Sequence, residues 1–141
     1  MSSRRVIAAS WAGTAVFVPL VLVAVLVPGV RAVAAGVSAL LFAIGVGVFF
    51  WAYAIAVGRS RTDEIGIGGL FFLAGDAAPP GPRRQLMASL ALQTIAALGT
   101  ASARPFTSLA FGVLAPLYGL ATAGLWGARY GRFARRPDRR R

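Results

Sequence analysis

The sequence predicts an all-α polytopic membrane protein, a compact bundle of four transmembrane helices arranged as two hairpins. Three observations predict it. Apolar residues make up 57% of the chain and the mean hydropathy is +0.71, outside the soluble range. Four charge-free runs are each long enough to cross hydrocarbon, and the arginines gather between and after those runs. The 141 residues are expected to form one membrane domain.

The first run, Val6 to Val27, is 22 residues long, about 33 Å as a helix against a hydrocarbon core of about 30 Å. Val33 to Val57, Leu86 to Ala103 and Phe106 to Trp126 follow, with 25, 18 and 21 residues. An unpaired backbone group in lipid costs several kcal/mol, so runs of this length are helical even where Val is abundant. Pro19 and Pro116 are expected to kink the first and fourth spans without ending them. Pro28 to Arg31 and Arg104 with Pro105 make two tight links. The connection 58–85 is longer and polar, and the tail 127–141 is rich in Arg.

Charge sets the orientation. Arg4, Arg5, Arg59, Arg61, Arg83, Arg84 and the seven Arg of the tail (129, 132, 135, 136, 139, 140 and 141) lie on one side, and Arg31 and Arg104 alone lie on the other. Arg-rich flanks stay in the cytoplasm, so both termini are expected inside a bacterial-type inner membrane. Trp11, Trp51 with Tyr53, and Trp126 with Tyr130 fall near the same boundary, where amphipathic rings prefer to sit. Ser3-Arg4-Arg5 has the look of a twin-Arg signal, but the run that follows is too long for the apolar part of a signal peptide.

The chain has no Cys and no His, which removes disulfides, thiolate and imidazole metal ligands and the usual general base. No cofactor is expected. A net charge of +11 interleaved with apolar runs points to anionic lipid headgroups at the cytoplasmic face, not to nucleic acid. No span carries an ionisable residue other than tyrosine, which disfavours ion-coupled transport. The four acids, Asp63, Glu64, Asp76 and Asp138, offer poor material for an enzyme. Asp63 and Glu64 beside Arg59 and Arg61 read as solvated ion pairs before they read as a cation site.

Helices in lipid associate through small residues and interhelical hydrogen bonds. Ala115, Gly119, Ala123, Gly127 and Gly131 make one such stripe, and Ala35, Ala39, Ala43 and Gly47 another; both are candidate packing or partner faces. Ser89, Gln93 and Thr100 share a polar face on the third span, with Ser10 and Thr14 as potential partners on the first. The two hairpins have the same plan, which is compatible with parallel repeats, though no residue-level similarity supports it.

Within the long connection, the apolar stretch 65–75 reaches only about 16 Å as a helix and cannot span. Ile67, Leu70, Phe71, Phe72 and Leu73 make it a candidate interfacial or re-entrant loop, or more plainly a hydrophobic loop resting on the bundle. Gly66-Ile67-Gly68-Gly69 lacks the spacing of a phosphate loop. Arg31 and Arg104, each beside a Pro, are candidate lipid-headgroup contacts; the plainer expectation is that they snorkel to the interface.

Arg104-Pro105-Phe106-Thr107-Ser108-Leu109-Ala110-Phe111-Gly112, with Gly124-Leu125-Trp126-Gly127-Ala128-Arg129, resembles the C-terminal part of uncharacterised small membrane proteins of actinobacteria. That resemblance implies a source and a membrane location, with no activity. In format alone, four spans in a short chain, the sequence is also similar to GtrA-like proteins, which implies polyprenyl-linked sugars; no motif carries that likeness. The expected function is a non-catalytic accessory or scaffold subunit of a larger membrane complex, partnered by another membrane protein or by its own copies. The alternative is a small carrier or flippase for a polyprenyl-phosphate-linked substrate.

Overall fold

A computed structural model describes residues 1–137; Asp138, Arg139, Arg140 and Arg141, which entered the charge count, lie outside the described residues. Helix α1 is Ser3–Leu26, α2 is Arg31–Arg59, α3 is the short Ile67–Phe71, α4 is Pro80–Ala103 and α5 is Pro116–Tyr130. Short 3-10 segments, Pro28–Val30 and Ser108–Leu114, lead into α2 and α5. Four helical segments are long and apolar enough to cross a membrane, as expected: Ser3–Leu26, Pro28–Arg59, Pro80–Ala103 and Ser108–Tyr130.

Local chemistry explains where these helices stop. Val27, which precedes a proline, is forced out of the helical region to φ −114 and ψ 99, and this ends α1. The Arg31 guanidinium then reaches back to the exposed carbonyls of that last turn, donating from Nε to Ala24 O at 3.1 Å and from Nη2 to Val25 O at 3.5 Å. Helix α4 begins at Pro80, ahead of the uncharged run, because a proline at the first helical position has its φ preset and needs no amide partner.

Pro19 lies inside α1 without ending it. Pro116 behaves differently from expectation: it starts an α-helix where a kink within one was expected. Its ring has no N–H and clashes with the carbonyl four residues back, so the preceding backbone tightens into 3-10 geometry. The Gly112 carbonyl accepts from Ala115 N at 3.1 Å in place of an α-helical bond.

Connectivity makes two hairpins, yet the most extensive packing runs between them, α2 against α5 and α1 against α4. Helix α5 is the centre, with Ala121 to Ala128 buried without interruption. Its small-residue stripe, Ala115, Gly119, Ala123, Gly127 and Gly131, is buried within the chain itself. A Cβ at Gly127 would collide with the Leu70 carbonyl, so this glycine admits the α3 segment. At Gly45 a Cβ would lie 2.9 Å from the Tyr118 backbone nitrogen, which marks a close backbone approach of α2 to α5.

That approach fixes the rotation of α2 and corrects the expected stripe. The packed face is Ala34, Ser38, Leu41, Gly45, Ala52 and Ala56, while Ala35 is half-buried and Ala39, Ala43 and Gly47 point outward. One residue is a 100° turn on a helix, so a stripe displaced by one or two positions faces away from the bundle.

Candidate functional site

The polar residues expected on the third span meet those of the first. Ser89 Oγ lies 2.8 Å from Ser10 Oγ and 2.7 Å from Thr14 Oγ1, and Gln93 Nε2 donates to Thr14 Oγ1 at 2.8 Å. The other end of the same amide accepts from Gly119 N at 3.2 Å. Pro116 supplies no amide and the first turn of α5 has few carbonyls behind it, so Gln93 serves as a side-chain acceptor for that turn. Thr100, on the same face of α4, instead bonds to its own helix at Ala96 O, 2.7 Å away. Among the described residues no buried side-chain nitrogen or oxygen lacks a partner, so the seam is closed on itself.

At the opposite end from the basic termini, Arg31 is held on the α1 carbonyls and Arg104 is exposed. The structure thus gives Arg31 a helix-capping role, and it does not bring the two guanidinium groups into a shared contact.

The basic end carries more structure. Segment 65–75 docks against the bundle and does not lie free. Leu70 and Phe71 pack among Ala52, Ala56, Leu125 and Ala128, and the Phe71 ring stacks on Phe49 with centroids 4.8 Å apart. Leu73, fully buried, enters a second cluster with Val6, Leu86, Ala123 and Trp126. Its backbone sits at φ 52, the left-handed region that costs a non-glycine residue about 1–2 kcal/mol. Ile67 and Phe72 stay exposed.

Between this segment and α2 lies a groove of about 540 Å³, open to the side. Phe49, Phe50, Tyr53, Ile67, Phe71 and Phe72 give it an aromatic and aliphatic wall, and Ser60 and the Tyr53 hydroxyl are the polar groups along it. A polar recess of about 480 Å³ adjoins it, sharing Ile65 and Gly66 and adding Glu64, Arg136 and Pro137. The recess is built by backbone pairing. Glu64 N donates to Ala134 O at 2.8 Å and Arg136 N to Thr62 O at 2.9 Å, around the antiparallel bridge of Asp63 with Arg135.

Arg59 joins the two halves of this end, a structural role not expected from the sequence. It pairs with Asp63 at 2.9 Å, donates to Ala128 O at 2.8 Å and Gly131 O at 3.1 Å, and lies over the Phe133 ring. A cation on the last carbonyls of α5 complements the helix dipole. The i, i+4 spacing of Arg59 and Asp63 was the available signal; the carbonyls it caps carried none. Trp126, expected at the boundary, is buried and donates to Ser3 Oγ at 2.7 Å. Among the described residues no cluster of acids is arranged to hold a metal ion.

No family model, no curated protein and no solved structure matches the chain, so geometry alone carries the functional reading.

Proposed function

We propose that this chain is a non-catalytic multi-pass protein of a bacterial inner membrane, with both termini inside, that serves as an accessory or scaffold subunit of a larger membrane assembly. The observation that supports this reading is the closure of the interior. Ser10, Thr14, Ser89 and Gln93 are buried and satisfy one another, leaving among the described residues no buried polar side chain without a partner to receive a solute. A carrier needs such groups facing a path. The chemistry that remains available is on the outside: the lipid-facing side of α2 and the Arg-rich end.

The α5 stripe is spent within the bundle, whereas the outward side of α2 carries the small residues Ala39, Ala43 and Gly47, and the partner is proposed to meet that side. Nothing lies within 4 Å of a Cβ built on Gly47, so a neighbouring helix has room to approach closely. The carrier alternative gains no comparable support, since Arg31 is already engaged with α1 carbonyls.

The test is a photo-crosslinking residue placed at Ala43 in native membranes. One protein adduct of constant mass is expected, lost when Gly47→Leu fills the approach, while Gly29→Leu, equally open but in the far link, leaves it intact. Adducts to lipid alone overturn the proposal.

A further inference from the structure

The groove and its adjoining recess form one amphiphilic surface, and we propose that together they hold a single phospholipid with a phosphoethanolamine headgroup. One acyl chain lies in the groove and the headgroup in the recess.

Dimensions support the chain. Along α2 the groove runs from Phe49 to Ser60, about 16 Å of helix, close to half of a hydrocarbon core of about 30 Å. It therefore matches the depth of one leaflet. Its volume of about 540 Å³ falls in the range of about 300–1,000 Å³ usual for small-molecule sites. The mouth opens sideways, past exposed Phe50, Tyr53 and Phe72, onto the surface that faces lipid when the four helices cross a bilayer.

Charge selects the headgroup. In the pairing around Asp63 and Arg135, Glu64 stands opposite Ala134 and Arg136 opposite Thr62. Side chains alternate along extended backbone, so Glu64 and Arg136 share a face as diagonal neighbours, about 7–8 Å apart. Among the described residues the ion pair is Arg59 with Asp63, so Glu64 and Arg136 are not joined to one another. Long side chains rooted at that spacing can take up a phosphate and an ammonium linked by two carbons, with Arg136 donating to the phosphate and Glu64 accepting from the ammonium. A purely anionic headgroup meets the Glu64 charge with nothing to offset it. A partner helix or a second copy would fill the groove without using that paired charge.

The experiment is native mass spectrometry of the delipidated full chain, offered dioleoyl phosphatidylethanolamine or dioleoyl phosphatidylglycerol. One phosphatidylethanolamine per chain is expected, preferred by about tenfold, the size of one charge-assisted hydrogen bond. Glu64→Gln should bring the preference close to unity, and Arg136→Gln should weaken both lipids by about tenfold. Val57→Trp, an exposed wall position, should abolish retention of both while helix content by circular dichroism stays unchanged. Equal retention of the two lipids, indifference to Glu64→Gln, or a dimer mass in place of a lipid adduct overturns the proposal. Because the isolated chain is measured, failure here leaves the docking reading untouched.

Discussion

A single amide, Gln93, ties three helices together. From α4 it donates to Thr14 on α1 and accepts from Gly119 on α5, and it is fully buried. Its polarity at depth was legible in the sequence, as was the facing pair Ser10 and Thr14. Its second partner was not, because Gly119 presents a free amide only once Pro116 starts a new helix. Gln93→Ala removes both bonds and leaves a void, and is expected to cost about 2–3 kcal/mol. Gln93→Leu keeps most of the volume and should cost about 1–2 kcal/mol. Ser89→Ala leaves Thr14 its bond from Gln93 but strips the buried Ser10 hydroxyl of its partner, and should cost about 1–2 kcal/mol. Reversible unfolding in mixed micelles ranks the three; a Gln93→Leu variant as stable as the native chain would show that the seam contributes no stability.

At the level of elements, segment 65–75 is the part the sequence described least completely. Its length excluded a span and its Phe and Leu residues required burial, but the choice between interface and bundle depended on Gly124 and Gly127, which admit Phe71 and Leu70 from a chain segment distant in sequence. The stripe on α2 was misplaced for the same reason: periodicity finds a face of small residues, whereas the helix rotates to suit the closest backbone approach. Leu73 shows what anchors the docked segment. Burial of its side chain outweighs a left-handed backbone, since a buried leucine contributes about 1.5–3 kcal/mol against a conformational cost of about 1–2 kcal/mol. This ordering yields an unusual expectation. Leu73→Ala loses the burial and keeps the strain, at about 2–5 kcal/mol, while Leu73→Gly loses the same packing but relieves the strain by about 1 kcal/mol. The glycine variant should therefore be the more stable of the two, with amide exchange in 66–76 faster than native in both. An alanine variant more stable than the glycine variant would mean that the left-handed conformation does not hold at Leu73 in the folded protein.

For the whole molecule, hydropathy made four helices legible because each span had to satisfy its own backbone bonds wherever the others lay. The arrangement was less legible, because α5 becomes central only through contacts with α1, α2, α3 and α4 at once. Orientation belongs to this scale, since it follows from the balance of charge over the entire chain. Arg59, Arg61, Arg83 and Arg84 flank the middle of the chain at the same end of the bundle as Met1 and Gly131, so one topology keeps all of them on one side, and the excess of arginine predicts that this side is cytoplasmic. The absence of native cysteine permits a direct measurement with single substitutions. Ser60→Cys, exposed enough to react and followed by Arg61, should be labelled by an impermeant maleimide only after the cells are opened. Gly29→Cys in the first tight link and Ser102→Cys in the last turn of α4 beside the second, both exposed, should be labelled on intact cells. Replacing Arg83 and Arg84 together with Gln should leave the pattern unchanged, because eleven other arginines still mark the same side. Labelling of Ser60→Cys on intact cells would reverse the assignment and, with it, the leaflet that supplies the groove.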